Sequence, residues 1–469
     1  MDGGVSDDGD QDGAILTDNG NNGSILTDGG HDAALLSDAG SRDAQFQPDA
    51  NAPESCAVVD LNPGFPLRYP VDGQYRASAR SVVADGLGGV WVVGTIHRSQ
   101  FPDMALWHFD AQGALRMGFP MVYDSHPDET WSDEALSACS DGAHGLWVLG
   151  RSYPRAGPSS GGFQLFHYGA DGQLMDGFPR VYDGPGYDAL HMACDPGGGL
   201  SVTGTILVNP VGSNLALWRF DAEGNLRSGF PTVVEQPRDN METTGLMGRV
   251  VVPDGMGGSW IQSVMLVWEM ADSLLVRTWL LWRFSSDGAL SDGFPIVTED
   301  TGSAMMLGLS WPYDQYRPMT ADGLGGVWVA GYVLNGAQPE IALWRYGFDG
   351  DLLEGYPVRS PIDYPEFDPN GVRVSIKSVS LDDAGGLWIA GQAGRDDDVK
   401  IILWRFTAVA ELVDGYPIID LSPPPIGQGR EEHVSSMAVD GQGGVWVGGD
   451  TYPFVGRQHM SLWRFGCSE

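Results

Sequence analysis

Short runs of alternating hydrophobic and polar residues recur along most of the chain, and Gly- and Asp-rich turns separate them. The run Val90-Trp-Val-Val93 is rich in the β-branched and aromatic residues that favour strands. In Leu217-Trp-Arg-Phe220, alternation places Leu and Arg on one face of a strand and Trp and Phe on the other. No segment shows the sustained apolar period of an amphipathic helix, so the pattern predicts an all-β protein.

Three sequence landmarks recur seven times along the chain. The first is a turn followed by a strand, and its turn aspartates are Asp85, Asp141, Asp195, Asp254, Asp322, Asp382 and Asp440. The second is Leu-Trp-Arg-Phe or a variant, with its second, aromatic position at Trp107, Phe166, Trp218, Trp282, Trp344, Trp404 and Trp463. The third is Gly-Phe/Tyr-Pro, with its aromatic at Phe65, Phe119, Phe178, Phe230, Phe294, Tyr356 and Tyr416.

Each repeat divides into four short strands. The turn aspartate and its glycine suit a tight hairpin between the first two strands, and Leu-Trp-Arg-Phe forms the third. The fourth strand is expected to end at Gly-Phe/Tyr-Pro, because proline is tolerated on an edge strand. Seven units of four strands predict a seven-bladed β-propeller of four-stranded blades. The recurring arginines of the third strands are predicted to be structural surface residues; they are Arg219, Arg283, Arg345, Arg405 and Arg464.

The two ends of the repeat region indicate a closed ring. The first Gly-Phe-Pro precedes every Leu-Trp-Arg-Phe strand, and the last such strand, Leu462–Phe465, has no fourth strand after it. The N-terminal strand is therefore predicted to complete the last blade. Alignment with the other repeats places Cys56 and Cys467 in the turn that the last blade lacks, which predicts a Cys56–Cys467 disulfide and hence export to an oxidising compartment.

Two further cysteines end the first strands of the second and third blades. Cys139 lies two residues before its turn aspartate and Cys194 lies one residue before its own, so they are one register apart. A disulfide across the two blades is one interpretation. Two buried free cysteines are the favoured one.

Composition separates an N-terminal tail from the propeller. Residues 1–50 are rich in Asp, Gly, Asn and Ser and contain only one aromatic, Phe46, so they are predicted to be a disordered acidic tether, and residues 51–469 the propeller. Within the tail, Asp8, Asp10 and Asp12 alternate as the ligands of a calcium loop do, but the twelfth position is Asn19 rather than Glu. A solvated spacer is the favoured interpretation, and no cofactor is expected.

Charge excludes several classes of partner. The 469 residues include 62 Asp plus Glu against 26 Lys plus Arg, for a formal net charge of -36. Nucleic acid is excluded as a partner because phosphate backbones need a basic face. No apolar run is long enough to span a membrane, and Met1-Asp-Gly-Gly is not a secretory signal. The expected location is extracellular, on the cell surface or periplasmic, with any export signal or lipid anchor upstream.

The repeat unit Asp382-Asp-Ala-Gly-Gly-Leu-Trp388-Ile-Ala-Gly391 resembles the repeats of bacterial regulatory-type propellers. The segment Ala216-Leu-Trp-Arg-Phe-Asp-Ala-Glu-Gly224-Asn-Leu226 is similar to bacterial propeller arrays with repeats near sixty residues. The resemblance covers residues 56–469. It implies a binding or sensing ring, often at the cell surface, and carries over no catalytic residue.

Recognition is expected on the face formed by the connections between the second and third strands and between successive blades, because these vary widely in length. Aromatic residues beside carboxylates suit sugar rings there, or they fill gaps between blades. The candidates are Trp131, Trp311, Tyr313 and Tyr316.

A second set of candidates is expected in the central channel, which the first strands line. The position five residues before each turn aspartate is occupied by Arg80, Leu136, Leu190, Arg249, Arg317, Lys377 and Ser435. Four cations there predict a basic collar for an anion or a carboxylated sugar, although pairing with loop acids such as Asp314 and Glu432 is the favoured alternative. His191 and His433 are placed near the channel mouth, where a packed structural role is favoured over acid/base chemistry.

No catalytic sequence motif is found, and no catalytic residue is assigned. The leading hypothesis is a monomeric, non-enzymatic ring that binds a glycan or protein through its variable face. One alternative is a carbohydrate-active enzyme that uses carboxylates such as Glu134, Asp188, Asp314 or Glu432. Another is a structural surface protein without a ligand.

Overall fold

The computed structural model describes residues 59–69, 75–98, 101–125, 131–154, 162–208, 212–235, 243–269, 274–298, 317–335, 338–362, 373–395, 398–419, 430–453 and 458–467. Their regular structure is entirely β. The first 14 strands are β1 (Val59–Leu61), β2 (Leu67–Tyr69), β3 (Arg76–Ala84), β4 (Val90–His97), β5 (Asp103–Phe109), β6 (Met121–Tyr123), β7 (Trp131–Ser140), β8 (Leu146–Pro154), β9 (Phe163–Tyr168), β10 (Arg180–Tyr182), β11 (Tyr187–Cys194), β12 (Leu200–Val208), β13 (Gly212–Phe220) and β14 (Thr232–Val234).

The remaining strands are β15 (Thr243–Pro253), β16 (Ser259–Glu269), β17 (Leu274–Phe284), β18 (Ile296–Thr298), β19 (Met319–Ala321), β20 (Val327–Asn335), β21 (Gln338–Tyr346), β22 (Val358–Pro361), β23 (Arg373–Leu381), β24 (Leu387–Arg395), β25 (Asp398–Phe406), β26 (Ile418–Ile419), β27 (Arg430–Val439), β28 (Val445–Pro453) and β29 (His459–Cys467). No helix among the described residues has the length and hydrophobicity of a membrane span.

The strands form antiparallel four-stranded sheets in chain order. Five such sheets are separate: β3–β6, β7–β10, β11–β14, β15–β18 and β19–β22. The other strands form one nine-stranded sheet, in which β25 and β27 pair in parallel through Asp398↔Arg430 and Val399↔Glu431. This sheet joins a group made of β23–β26 to a group made of β27–β29, β1 and β2. The prediction of an all-β propeller of four-stranded blades is confirmed.

The N-terminal segment completes the last group of strands, as predicted. Strand β1 pairs with β29 from Val59↔Cys467 to Leu61↔Phe465, and β2 pairs with the same strand. Phe65 packs edge-on against Trp446 of β28, with ring centroids 5.6 Å apart. The equivalent aromatics of other sheets make the same contact within their own sheet, as Phe119 does with Trp91 at 5.6 Å. The first Gly-Phe-Pro motif, although it comes first in the chain, therefore packs against the last group of strands.

The core lies between sheets. The buried hydrophobic side chains of the described residues form seven clusters, and six of them span two strand groups that follow one another in the chain. The cluster that contains Val82 of β3, Trp446 of β28 and Leu462 of β29 packs the last group against the first. Ten of the twelve largest fully buried side chains are tryptophans, so the repeated Trp positions account for most of this packing.

The predicted position of the fourth strand is wrong. We expected it to end at Gly-Phe/Tyr-Pro, but it begins just after the proline, as β14 does after Pro231. Between the second turn and that motif the chain makes a single bridge, such as Phe220↔Leu226, and then turns again through a hydrogen bond from Phe230 N to Arg227 O of 3.2 Å. The glycine before the aromatic has a positive φ, for example 90° at Gly229, which only glycine adopts readily.

The turn aspartates organise each hairpin and bind the third strand. Asp254 Oδ1 accepts hydrogen bonds from Met256 N at 2.8 Å and Gly258 N at 2.7 Å, and its Oδ2 lies 2.8 Å from Arg283 Nη2. The guanidinium of Arg283 stacks on Trp260 and Phe348. The aspartate is 1% exposed and the arginine 8% exposed, so this is a buried ion pair.

The same pairing recurs in the other repeats, with histidine in place of arginine in the first two. The pairs are Asp85–His108, Asp141–His167, Asp195–Arg219, Asp322–Arg345, Asp382–Arg405 and Asp440–Arg464. Our prediction that the arginines lie on the surface is wrong for Arg219, Arg283 and Arg405, which are buried. Pairing with a buried aspartate compensates the cost of removing each guanidinium from water.

Cys139 and Cys194 form a disulfide, with Cα atoms 5.7 Å apart. The favoured interpretation, two free thiols, is therefore wrong. An offset of one register opposes pairing within one hydrogen-bonded sheet, but it does not restrict side chains of two different sheets. Strands β7 and β11 belong to separate sheets that pack side by side, so the two cysteines can meet. The disulfide links the second and third sheets.

Several predictions fall on residues outside those that the structure describes. They are the tether of residues 1–50, the calcium candidates Asp8, Asp10 and Asp12, and Cys56 of the second disulfide. The Cys56–Cys467 bond stays a prediction, and the backbone pairing of Val59 with Cys467 is consistent with it.

Candidate functional site

The first strand of most sheets contains a β-bulge at the channel position singled out from the sequence. Pairing with the second strand shifts register there in six sheets or strand groups. The bulged residues are Arg80, Leu136, Leu190, Arg249, Lys377 and Ser435. A bulge inserts a residue that has no partner across the ladder and redirects its side chain. These six side chains converge on one cavity.

A glycine that ends the repeat unit faces five of the six bulges, and Ser263 faces the sixth. A Cβ on Gly94 would lie 1.8 Å from the carbonyl oxygen of Ser78, and one on Gly449 would lie 1.8 Å from that of His433. Real Cβ atoms do not approach oxygen so closely, so only glycine fits without a backbone shift. The final glycine of Val92-Val-Gly94 and of Val447-Gly-Gly449 therefore permits the bulge on the facing strand.

The cavity has a volume of about 560 Å³. Arg80, Arg249 and Lys377 bring positive charge to its wall, and Leu136 and Leu190 bring apolar surface. The remaining wall is mostly polar and includes Ser378, Gln392, His433, Ser435, Ser436, Asp450 and Tyr452. A cavity of this size with a few placed polar groups is typical of small-molecule sites.

The cavity lies toward the variable connections. His433 is near the beginning of β27, and Tyr452 is near the end of β28. Both strand ends adjoin connections of the variable face rather than the short hairpin turns. These two cavity residues therefore lie on the side of the strands on which we expected recognition.

Asp450 is a partly buried carboxylic acid in the cavity wall. Its Oδ1 accepts a hydrogen bond from Ala79 N at 2.9 Å, and its Oδ2 accepts one from Gln458 Nε2 at 3.0 Å. Burial raises the pKa of Asp450 to about 7, against the opposing effects of these two hydrogen bonds and of Arg80. The bond to Ala79 joins β28 to β3, so Asp450 also links the last strand group to the first.

Asp450 was not predicted from the sequence, although a signal existed. The position after the bulge-facing glycine carries Thr95, Arg151, Thr205, Gln392 and Asp450 in five of the repeats. Gln392 Oε1 accepts a bond from Val434 N at 2.9 Å, which is the same link one strand group earlier. Asp450 is the only carboxylate among these five residues.

We expect Asp450 to make the stability of the protein depend on pH. Its pKa of about 7 lies above the ordinary value of 3.8, so between these values the folded protein keeps a proton that the unfolded chain releases. The stability that this proton provides is fully present below pH 3.8 and is lost as the pH rises to about 7. Asp450→Asn removes the ionisation and keeps the hydrogen-bonding shape.

Urea denaturation at pH 5 and pH 8 tests this expectation. We compare the free energy of unfolding of Asp450→Asn with that of the native protein at each pH. The difference in favour of the variant should be about 1–2 kcal/mol larger at pH 8 than at pH 5. The exposed Asp349→Asn serves as the control. An equal effect of Asp450→Asn at both pH values would contradict the prediction.

His191 lines the cavity but is engaged in holding two sheets together. Its Nδ1 accepts a hydrogen bond from Val251 N, 3.3 Å away on β15. Burial lowers the pKa of His191 to about 4, so the ring is neutral near pH 7. Ser137 has a similar role, because its hydroxyl donates to Met192 O at 3.2 Å. The geometry thus supports the packed structural role that we favoured for His191.

His433 belongs to a small polar network at the cavity rim. Gln392 Nε2 donates to its Nδ1 at 3.0 Å, and its Nε2 donates to Glu431 Oε2 at 3.1 Å. Its ring meets the ring of Tyr452 edge-on, with centroids 5.3 Å apart. Burial raises the pKa of Tyr452 to about 12, so its hydroxyl stays protonated.

Other candidates are not brought into the cavity. The Arg317 guanidinium stacks over Trp344, 4.6 Å from the ring centroid, and is 9% exposed, so three of the four predicted collar cations line the cavity. Glu432 is buried on β27 away from the cavity lining. Trp131 begins β7 and pairs with Pro154. Trp311, Tyr313, Asp314 and Tyr316 lie outside the described residues.

Two carboxylates of the enzyme hypothesis, Glu134 and Asp188, bind the same arginine. Arg151 Nη2 donates to Glu134 Oε2 at 2.9 Å, and its Nη1 lies 3.5 Å from Asp188 Oδ1. Tyr153 donates to Glu134 Oε1 at 2.6 Å. Burial opposes ionisation of Glu134, but the bonds from Tyr153 and Arg151 outweigh it and lower its pKa. Burial raises the pKa of Asp188.

A separate group of acids could bind a cation. Carboxylate oxygens of Asp103, Asp124 and Asp133 lie within 4.8 Å of one another, and such ligands suit Ca²⁺. Asp133 is buried, and it accepts hydrogen bonds from Ser125 N at 2.8 Å and from the hydroxyls of Ser125 and Ser152. These bonds already account for its orientation.

Comparisons with known proteins identify no family for this chain. No protein-family model matches the sequence, and no curated protein matches it. A protein of unknown function from Dyadobacter fermentans DSM 18053 has a similar structure, with a TM-score of 0.47 and 9% identity over 87% of this chain and 99% of that one. A glucose dehydrogenase has a TM-score of 0.38 and 16% identity over 72% and 99% of the two chains. A luciferin-regenerating enzyme has a TM-score of 0.37 and 13% identity over 71% and 91%. At these TM-scores the similarities carry no information on function.

Proposed function

We propose that this protein is a non-enzymatic, exported propeller that binds an organic anion in its channel cavity. The observation that carries the proposal is that bulges direct Arg80, Arg249 and Lys377 into one cavity. The chain has 26 basic residues against 62 acidic ones, so three basic side chains in one cavity depart from its overall charge. They favour a carboxylate or a similar group within a negatively charged molecule.

Arg80 is the cation best placed to bind a ligand. It is exposed, and it makes no hydrogen bond or ion pair with any described residue. Ligand binding therefore need not break a hydrogen bond or ion pair between its guanidinium and the described residues, although Asp450 and Glu134 lie close enough to interact with its charge. The earlier hypothesis allowed any glycan or protein as the ligand. We now propose a ligand with an anionic group, such as a carboxylated sugar.

We propose seven blades for the ring, with the nine-stranded sheet counted as two blades that share one short parallel pairing. Five separate four-stranded sheets, two further strand groups and seven hydrophobic clusters support this count. The Cys139–Cys194 disulfide supports an extracellular or periplasmic location, because disulfides persist in oxidising compartments. We further propose that the protein acts as a monomer.

Isothermal titration calorimetry of the full chain with carboxylates and neutral sugars tests the function. Glucuronate, galacturonate, hexanoate and citrate are the anions, and glucose is the neutral reference. We expect at least one anion to bind and Arg80→Gln to weaken that binding by at least tenfold, because it removes a charged donor. Arg359→Gln, on the outer strand β22, is the matched control and should bind as the native protein does.

Two results would contradict the proposed function. One is that no anion binds, and the other is that the Arg80 and Arg359 variants bind the same anion equally well.

A second function is favoured by the opposite pKa shifts of Glu134 and Asp188, which flank Arg151. Acid/base cleavage of a glycoside requires one carboxyl group with a raised pKa and one with a lowered pKa. Release of reducing sugar from glycans by the native protein, abolished by Glu134→Gln, would establish this activity. If the native protein and Glu134→Gln release equal amounts of reducing sugar, Glu134 has no role in the cleavage.

A further inference from the structure

The cavity wall is divided between apolar and polar sides. In chain order, the bulge positions carry Arg80, Leu136, Leu190 and Arg249, so two leucines of adjacent sheets lie between two arginines. Both leucines are partly exposed and line the cavity. Lys377 and Ser435 come from the later sheets. The leucines therefore form one continuous apolar surface rather than scattered contacts.

The polar groups beneath the leucines are already bonded to protein. Each occupies the position after a bulge residue. The Ser137 hydroxyl donates to Met192 O at 3.2 Å, the Ser81 hydroxyl reaches Ala138 O at 3.5 Å, and His191 Nδ1 accepts from Val251 N. The two serine hydroxyls and His191 Nδ1 hold neighbouring sheets together, which leaves the Nε2–H of His191 as the remaining donor among these groups. The leucine side of the cavity consequently offers few donors or acceptors.

The other side includes Val379 and Val434 but also presents hydroxyl groups that bond to no described residue. Ser435 and Ser436 line the cavity, and their hydroxyls make no hydrogen bond within the part of the chain that is described. The ammonium of Lys377 lies in the same wall. This side can therefore bind a negatively charged group with a cation and hydroxyl donors.

We infer that the cavity selects an amphiphilic carboxylate, whose apolar body packs on Leu136 and Leu190 while its carboxylate binds the basic side chains. The inference rests on the proposed function and adds the ligand class to it. A fully hydroxylated acid would place hydroxyls against the leucines, where they lose hydrogen bonds to water and find none in the protein. An apolar body instead removes the leucine surface from water, which favours binding.

A pair of acids with equal chain length tests the inference. Hexanoate and gluconate are both six-carbon monocarboxylates, and they differ in the hydroxyl groups of gluconate. We expect calorimetry of the full chain to give at least tenfold tighter binding of hexanoate, because several buried methylenes contribute to affinity. Hexanamide, the neutral counterpart, should bind at least tenfold more weakly than hexanoate.

Leucine variants locate the selectivity. Leu136→Asn and Leu190→Asn should weaken hexanoate binding by about fivefold to tenfold each and leave gluconate binding unchanged, because only hexanoate covers the leucines. Leu207→Asn, at an exposed position of β12 outside the cavity lining, is the matched control. Thermal unfolding of each variant shows whether it folds, and the hexanoate–gluconate comparison on the native protein decides the question without them.

The outcomes separate the inference from the proposed function. Equal binding of hexanoate and gluconate, or tighter binding of gluconate, would overturn the amphiphilic ligand and leave anion binding intact. Binding of hexanoate and hexanamide with equal affinity would overturn the role of charge. Absence of binding by any acid would overturn both.

Discussion

Replacing Asp254 with alanine is expected to lower the free energy of unfolding by about 3–5 kcal/mol. The substitution leaves the Arg283 guanidinium buried without its carboxylate partner and removes the acceptor of two turn amides, Met256 N and Gly258 N. A buried charge without a partner costs far more than the ion pair contributes, because water cannot replace the lost carboxylate. Urea denaturation of both proteins, with a constant dependence on denaturant, measures the difference.

Asp110→Ala is the matched control for this substitution. Asp110 Oδ1 accepts the same pair of turn amides, Gln112 N at 3.0 Å and Ala114 N at 2.8 Å, but Asp110 is more exposed and forms no ion pair within the described residues. Asp110→Ala should lower the free energy of unfolding by about 1–2 kcal/mol. If the two variants lose equal stability, the burial of the ion pair does not set the cost.

Replacing Gly94 with alanine is expected to lower the free energy of unfolding by about 3 kcal/mol or more. The new Cβ would lie 1.8 Å from Ser78 O, which is backbone and cannot move without displacing the bulge at Arg80. We therefore expect two results together: a lower denaturation midpoint, and weaker binding of any anion that Arg80 holds.

Gly197→Ala is the control for Gly94→Ala. No heavy atom lies within 4 Å of a Cβ placed on Gly197, and its φ is not positive. This variant should differ from the native protein by less than about 0.5 kcal/mol. A Gly94→Ala protein with native stability and native binding would show that the strands do not need a glycine at this place.

Local sequence pattern predicted the strands well and their connections less well. The Trp and Phe positions and the Asp-Gly turns reflect short-range preferences, so the first three strands of each repeat were found where expected. The fourth strand was misplaced because Gly-Phe/Tyr-Pro was interpreted as a strand end. That motif forms a second reversal of the chain, and strand β14 follows Pro231.

The candidate site was predicted in part. Arg80, Arg249 and Lys377 were identified because they share a position in the repeat, and repeats place equivalent residues at equivalent points around a channel. Asp450 was missed, and the Cys139–Cys194 bond was only the less favoured interpretation, because both depend on contacts between sheets. The distance between two sheets follows from how their side chains pack, and no pattern within one repeat encodes it.

The pairing of β1 with β29 determines how the ring would respond to pulling. Val59 lies opposite Cys467, so the chain enters β1 and leaves β29 at the same end of the pair. Tension between the N-terminal tail and the C-terminus would therefore separate the two strands one pair at a time, which resists force less than sliding whole strands past each other. The predicted Cys56–Cys467 bond would lie at the end where this separation begins and would carry the load in place of the hydrogen bonds.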